Sequence, residues 1–266
     1  MRKLKVFSIL LLLCSAAAFV GFKIYETSLA DNEALVIAFS QDNIQVSVED
    51  PEEKFLEGVT AEDQRDGDVT DKIVVQSISE FSEDDKREIT YAVADEAGNV
   101  GYGKRTLEYT DYSEPVFSLS NSLLYPLGST FNVADGVSAS GALDGNLTNN
   151  IKYTLDRAIS TMTAGTYNVE FRVSDSAGRT SYLQTELEVY EPGDYQIEVN
   201  LSQYLVYIGV NEKFDPNAYY EGSDEEDGVL SIESTVNTAQ PGCYYVDYNV
   251  TTERLAGKNR LVVVVV

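Results

Sequence analysis

The chain has 266 residues and a formal net charge of −25, from 44 acidic and 19 basic residues, and it contains no histidine. This balance argues against nucleic-acid binding, because phosphates would be repelled rather than neutralised. The lack of histidine excludes Ser-His-Asp and Cys-His catalytic sites and histidine-ligated zinc.

The N-terminal segment has the pattern of an export signal. Arg2, Lys3 and Lys5 precede the uncharged run Val6–Phe22, which Lys23 closes. A charged start before an apolar core is typical of signal peptides, and a run of this length is at the short limit for spanning a bilayer. We therefore expect residues 1–30 to be a signal peptide or signal anchor with a short linker. Attachment through this segment would hold the protein on the extracellular face of the cytoplasmic membrane, and cleavage would release it as a secreted protein.

Two similar stretches organise the rest of the chain, Ile89–Gly101 and Val169–Ser181. Each begins with alternating β-branched or aromatic residues, the pattern of a half-buried antiparallel strand. Each continues into an acidic turn centred on glycine, where Asp bonds nearby backbone and Gly accepts a positive φ. A degraded third copy is recognisable at Tyr244–Val250. The sequence thus predicts an all-β protein built from tandem modules.

The order of the other elements repeats with the same period. Upstream of each organising strand lies an Asp-Gly turn, at Asp66, Asp144 and Asp227, and these positions are 78 and 83 residues apart. A unit near eighty residues is long enough for a seven-stranded sandwich. The stretches 111–115 and 191–194 read as linkers, so the predicted domains are 35–111, 114–191 and 194–266. Within the first domain, residues 44–48, 73–75 and 101–109 are predicted strands, and residues 83–87 are a predicted charged loop.

These motifs resemble a known family. The order D-G-x-V/L-T, then Ile, then G-T-Y-x-V/I-x-Y/F-x-V-x-D-x-A-G-N/R is similar to bacterial immunoglobulin-like domains, found in tandem on Gram-positive surface proteins and in some pesticidal crystal proteins. The resemblance covers essentially residues 35–266. The third copy replaces the D-x-A-G turn with residues 252–257, and Arg87 stands where Tyr167 and Tyr244 stand in the other copies. The resemblance implies three tandem immunoglobulin-like β-sandwich domains that act as spacers or adhesive modules without catalytic residues.

The acidic turns have two interpretations: they bind calcium, or they are solvent-exposed loops without a ligand. The candidate ligands are carboxylates close together in sequence: Asp66, Asp68 and Asp71 in the first module, and Asp224 and Asp227 in the third. Calcium takes six to eight oxygen ligands, but the spacing of an EF-hand loop is absent. A charge-rich loop explains these residues equally well. No other cofactor is indicated.

Tyrosines give two further expectations. Tyr167 and Tyr244 enter the organising strands two residues after a glycine and resemble the tyrosine corner of immunoglobulin-type sandwiches, whose hydroxyl bonds to backbone. Tyr219 and Tyr220, beside the acidic run 224–227, are candidates for a protein- or carbohydrate-binding patch, because tyrosine is enriched at interfaces.

The chain ends with Leu261 and five valines. A strand buried on both faces has this composition, whereas an exposed edge would pair with another chain. We expect the buried strand, so that deletion of residues 262–266 would unfold the third module. Cys243 is expected to lie buried or half-buried in a strand.

The predicted function is non-catalytic: a cell-surface protein presenting immunoglobulin-like modules for adhesion, structural spacing or contact with an extracellular protein or glycan ligand. The alternative is a secreted carbohydrate- or protein-binding accessory module. A glycan-active enzyme with paired carboxylates is a third hypothesis, disfavoured because short repeats leave little chain to build a cleft.

Overall fold

The computed structural model describes residues 12, 14–25 and 35–266. Residues 12 and 14–25 are helical and exposed, and the other residues of the predicted export segment 1–30 lie outside the described residues. In the described parts of the chain, no helix is both long and apolar enough to cross a membrane.

Residues 35–266 form an all-β structure, as predicted. Over residues 35–266, helical structure is limited to four short 3-10 turns, Glu52–Leu56, Thr70–Lys72, Thr148–Asn150 and Pro216–Tyr219. The chain divides into two compact units, Met1–Asp111 and Tyr112–Val266.

The first unit contains the first module, which has seven strands in two sheets. One sheet has the order β1-β3-β4 and the other β2-β7-β6-β5. The strands are β1 Val36–Phe39, β2 Asn43–Val46, β3 Val59–Asp63, β4 Gly67–Asp68, β5 Val74–Ile78, β6 Arg87–Ala94 and β7 Val100–Tyr109. Ile89, Tyr91 and Val93 alternate inward along β6 into one hydrophobic cluster to which both sheets contribute.

The second unit begins with the second module, again with two sheets, β11-β10-β8 and β12-β13-β14-β9. The strands are β8 Val116–Leu119, β9 Leu124–Pro126, β10 Val137–Gly141, β11 Gly145–Asn146, β12 Lys152–Leu155, β13 Gly165–Ser174 and β14 Thr180–Tyr190. Tyr167, Val169, Phe171 and Val173 of β13 supply the centre of the cluster.

The third module completes the second unit with the sheets β15-β17 and β16-β20-β19-β18. The strands are β15 Val199–Leu201, β16 Leu205–Ile208, β17 Tyr220–Ser223, β18 Val229–Ser234, β19 Gly242–Thr251 and β20 Ala256–Val265. The same pairing recurs in each module: an early strand runs parallel to the last one, as β2 with β7, β9 with β14 and β16 with β20.

The final strand β20 is buried on both faces, which confirms the sequence prediction. Leu261, Val263 and Val265 belong to the cluster of the third module. Val262 belongs to the cluster of the second module, and Val264 packs against that cluster. The run of valines therefore alternates between two cores.

The predicted strand boundaries of the first module differ from the structure: the strand predicted at residues 73–75 is Val74–Ile78, and the one predicted at 101–109 is Val100–Tyr109. The strand predicted at residues 44–48 ends at Val46, because the amide of Ser47 donates to Asp50 and the amide of Val48 donates to Asp111. Arg87, predicted as the end of a charged loop, instead begins β6, and its guanidinium donates to the carbonyl of Ser79.

Candidate functional site

A hydrogen bond joins the two acidic turns in each of the first two modules. The amide of Glu96 donates to Asp66 Oδ2 at 3.0 Å, and the amide of Ser176 donates to Asp144 Oδ2 at 2.8 Å. The first aspartate of the D-G motif therefore fastens the D-x-A-G turn thirty or so residues later. This contact explains why the two motifs occur as a pair in the sequence.

The D-x-A-G turn is itself closed by its aspartate. Asp95 accepts from the amide of Asn99 at 2.7 Å and from its side-chain amide at 2.6 Å. Burial opposes ionisation of this carboxyl, but the hydrogen bonds from Asn99 and neighbouring amides outweigh it and lower the pKa of Asp95 below its usual value. Asp175 accepts in the same way from the amides of Ala177 and Arg179.

Glycine is required in these turns for a backbone reason. Gly98 has a φ of 90° and Gly178 a φ of 84°, a region that residues with a Cβ rarely adopt. The turn prediction for both stretches is confirmed.

The calcium candidates occupy turns in which carboxylates bond to backbone. Besides Asp66, Asp68 accepts from the amide of Thr70 and Asp224 accepts from the amide of Glu198. Asp71 and Asp227 are exposed. Across the described residues, the structure brings together no group of three His, Cys, Asp or Glu side chains suited to a metal ion. Calcium binding at these five positions stays a prediction.

Tyr219 and Tyr220 both pack against the cluster of the third module. The ring of Tyr219 stacks on Phe214 with centroids 5.7 Å apart, and that of Tyr220 stacks on Tyr248 at 6.3 Å. Both rings thus contribute to the interior, and ligand binding by them stays a prediction.

The tyrosine-corner prediction is confirmed. The hydroxyl of Tyr167 lies 3.3 Å from the carbonyl oxygen of Ser160, and that of Tyr244 donates to the carbonyl of Gln240 at 3.0 Å. A second set of tyrosines escaped the sequence reasoning. Tyr91 donates to Phe55 O and Tyr248 to Pro216 O, each at 2.6 Å.

A buried arginine in β7 was also missed. Arg105 is 5% exposed. Its guanidinium donates to Tyr91 Oη at 2.7 Å, to Phe55 O at 2.7 Å and to Glu57 O at 2.9 Å. The alternation along β7 gave a signal for this burial, because Arg105 and Leu107 lie on the same inward face of the strand. A charged side chain is nevertheless expected to be exposed, so the position was not predicted as buried.

Charged side chains join the second and third modules inside the second unit. Arg260 forms a bidentate pair with Asp247, at 2.6 and 3.0 Å, and reaches Glu186 of the second module at 3.2 Å. Lys258 pairs with Glu188 of the second module at 2.8 Å. Burial would lower the pKa of Arg260, but the surrounding carboxylates raise it overall, so the guanidinium stays charged.

Cys243 lies half-buried in β19, as predicted. Burial raises the pKa of its thiol to about 11, which keeps it protonated at neutral pH. It therefore has the character of a packing residue rather than that of a nucleophile.

Cavities open on the exposed face of the sheet β12-β13-β14-β9. One of about 530 Å³ is lined by residues of β12, β13 and β14 together with Cys243 and Tyr245 of the third module. Another of about 450 Å³ is lined by residues 149–152 with Arg172 and Ser174.

Comparison with known families gives an assignment for the module that carries these cavities. Residues 118–189 match the family described as bacterial surface protein, Ig-like domain. The second module is therefore similar to bacterial surface Ig-like domains. The resemblance predicted from the turn and strand motifs is thereby confirmed.

Longer relatives extend the similarity beyond this Ig-like domain. The chain is 27% identical over 207 residues to the pesticidal crystal protein Cry22Aa of Bacillus thuringiensis, covering 73% of this chain and 27% of that protein. It is 27% identical over 171 residues to an uncharacterized 81.3 kDa protein of Acholeplasma phage L2, covering 62% of this chain and 22% of the relative. The chain thus spans about a quarter of the length of these relatives.

Solved structures align with most of the chain, but with low TM-scores. The extracellular domain of protocadherin GammaB4 aligns with a TM-score of 0.22 and 13% identity, over 89% of this chain and 50% of that one. A lipoprotein from Bacteroides thetaiotaomicron aligns with a TM-score of 0.20 and 13% identity, over 86% of this chain and 98% of that one.

Proposed function

We propose that the chain is a non-catalytic extracellular protein whose immunoglobulin-like β-sandwich domains present surfaces for adhesion, for spacing, or for contact with a protein or glycan ligand. The observation that carries the proposal is the match of residues 118–189 to the bacterial surface Ig-like family. The domains are 35–111, 114–191 and 194–266, and three hydrophobic clusters with the same strand pairing support this division.

The roles of the conspicuous residues agree with a structural module. The turn aspartates, the corner tyrosines and Arg105 all bond to backbone within their own module. The charged groups of Arg260 and Lys258 join two modules. Each of these side chains has a folding role that accounts for its position without a reaction.

We also propose that the N-terminal segment attaches the protein to the cytoplasmic membrane. Support comes from the charged start followed by an apolar run, and from the exposed side chains of Phe19, Phe22 and Ile24 on the described helix 14–25. Exposed apolar side chains of this density require an apolar partner. Lipid is the partner that an export segment meets first.

Similarity to a pesticidal crystal protein favours a second candidate, a secreted binding module. Fractionation of cells that produce the protein, with the intact mass of the product, separates the two. The anchored protein would be full length and in the membrane fraction, whereas the secreted one would begin near Phe19 or Asp31 and appear in the medium. A full-length product in the soluble cytoplasmic fraction would contradict both.

A further inference from the structure

Two cations lie side by side on the exposed face of the second module. Lys152 of β12 and Arg172 of β13 are directly opposite each other in the strand register, and both are exposed. Apart from the backbone pairing of their strands, neither side chain forms an ion pair or hydrogen bond with any residue in the described part of the chain. The next residue across the sheet is Tyr182 of β14, opposite Arg172 and 59% exposed.

Two cations opposite each other destabilise the sheet, and they are unexpected in a protein with so many acidic residues. Like charges directly opposite on neighbouring strands destabilise a sheet. Acidic residues outnumber basic ones by 44 to 19, so an acidic partner would be the common outcome. At the equivalent positions, the first module has Val74, Ala92 and Tyr102 in register. The unpaired cations are therefore a property of the second module, not of the repeat.

The cations line a cavity with further hydrogen-bond donors. The cavity has a volume of about 450 Å³, and Asn149, Asn150 and Ser174 contribute to its wall. Side-chain amides and a hydroxyl beside two positive charges match the oxygens of a carboxylate or phosphate group. No acidic residue lines this cavity.

The same face continues into a surface suited to hydroxyl groups. One and two register steps further along the strands, Gln184 donates to Glu170 at 2.7 Å and Asn168 donates to Asp156 at 3.0 Å. These pairs line the larger cavity. Carboxylates and amides side by side supply both acceptors and donors, which is what sugar hydroxyls require. From residue 152 to residue 156 the face extends about 13 Å at the usual rise of a strand.

We propose that this face of the second module binds an anionic glycan, with Lys152 and Arg172 holding its carboxylate or phosphate group and the amide–carboxylate pairs holding its hydroxyls. The inference rests on the proposed surface function and names the ligand class for it. A long nucleic acid does not fit, because the net charge of −25 repels an extended polyanion, whereas the single charged group of a short sugar can lie beside the two cations.

The test is calorimetric titration of the full chain, in mild detergent at physiological salt, with trigalacturonate and with its fully methyl-esterified form. A glycerol phosphate oligomer is the parallel phosphate probe. The proposal expects binding of at least one anionic probe and none of the ester. Substitution K152A/R172A should weaken that binding by about tenfold or more, because two charge-assisted contacts are lost.

The matched control is K213A/R254A, which removes the same charge from exposed positions of the third module. It should bind like the unchanged protein, and circular dichroism melts should show both variants folded. Equal binding of acid and ester, unchanged binding by K152A/R172A, or no binding of either anionic probe would overturn the proposal. Membrane fractionation would still report the surface function independently in each of these cases.

Discussion

Single residues of these modules act mainly by satisfying backbone groups in turns and loops. Arg105 is the clearest example, because it bonds the carbonyls of Phe55 and Glu57 while orienting the hydroxyl of Tyr91. Removing a buried donor leaves its acceptors desolvated and unpaired, which costs more than the bond itself contributes.

The substitution Arg105→Ala should therefore lower the free energy of unfolding of the first unit by about 3 kcal/mol. Urea titration followed by circular dichroism measures this change. Lys104→Ala is the matched control, because Lys104 is next to Arg105 in the chain but its side chain is 59% exposed and forms a surface ion pair with Glu88. That variant should change stability by less than about 0.5 kcal/mol. Equal effects of the two substitutions would contradict the assigned role of Arg105.

A pH dependence is expected from Asp95. Its pKa in the folded protein lies below the ordinary value of 3.8, so its stabilising effect is present above that pH and is lost as the pH falls through the folded-state pKa. The melting temperature of the first unit should therefore drop on acidification below about pH 4. The variant Asp95→Asn should have a lower melting temperature than the unchanged protein at pH 6, and its melting temperature should fall less on acidification. If exposed Asp71→Asn changed the pH profile as much as Asp95→Asn, the explanation would fail.

At the scale of the element, β20 shows how one strand can serve two cores. Val263 is fully buried in the cluster of the third module, whereas Val262 belongs to the cluster of the second. The run of valines predicts burial on both faces, but it does not say which neighbour covers the second face. That information depends on contacts between residues far apart in sequence.

Truncation within β20 should be costly only where the side chain is buried. Val263→Ala should destabilise the second unit by about 2 kcal/mol, from the lost apolar burial and the cavity left behind. Val266→Ala, at a position 66% exposed in the same run, should change stability by less than about 0.5 kcal/mol. Thermal or urea melts of the two variants provide the comparison. A cost at Val266 equal to that at Val263 would contradict the observed packing.

Sequence reasoning located the repeating elements better than their ends. The alternating strands and glycine turns of β6 and β13 are local patterns and were predicted. Strand β2 ends early because the amides of Ser47 and Val48 donate to the side chains of Asp50 and Asp111 instead of to a neighbouring strand. The alternation of apolar residues does not reveal such side-chain acceptors. Arg105 was missed because its carbonyl partners, Glu57 and Phe55, lie 48 and 50 residues away. The cations Lys152 and Arg172 were missed because strand register is not visible in sequence.

For the whole molecule, the charged contacts joining the second and third modules have a measurable consequence. Arg260 is buried between Asp247 of its own module and Glu186 of the other. Removing it takes from Glu186 the cation that it contacts and leaves Asp247 with Lys258 alone, at 3.6 Å. Because Glu186 is 34% exposed, the expected cost is at the low end for a buried pair, about 2 kcal/mol.

Arg260→Ala should therefore shift the unfolding transition of the second unit and leave that of the first unit unchanged. Differential scanning calorimetry of the full chain separates the two transitions, and Arg105→Ala identifies the one that belongs to the first unit. Exposed Arg254→Ala serves as the control in the third module. A shift of both transitions by Arg260→Ala would contradict the assignment of its contacts to the second unit.

The central claim is that the β modules lie outside the cell, and accessibility on intact cells tests it most directly. Cells that produce the protein would be treated with a membrane-impermeant amine-reactive biotin, and the labelled lysines identified by mass spectrometry. The account predicts labelling of exposed lysines such as Lys152 and Lys213 on intact cells, with a cytoplasmic protein left unlabelled. Labelling of these lysines only after lysis would contradict it.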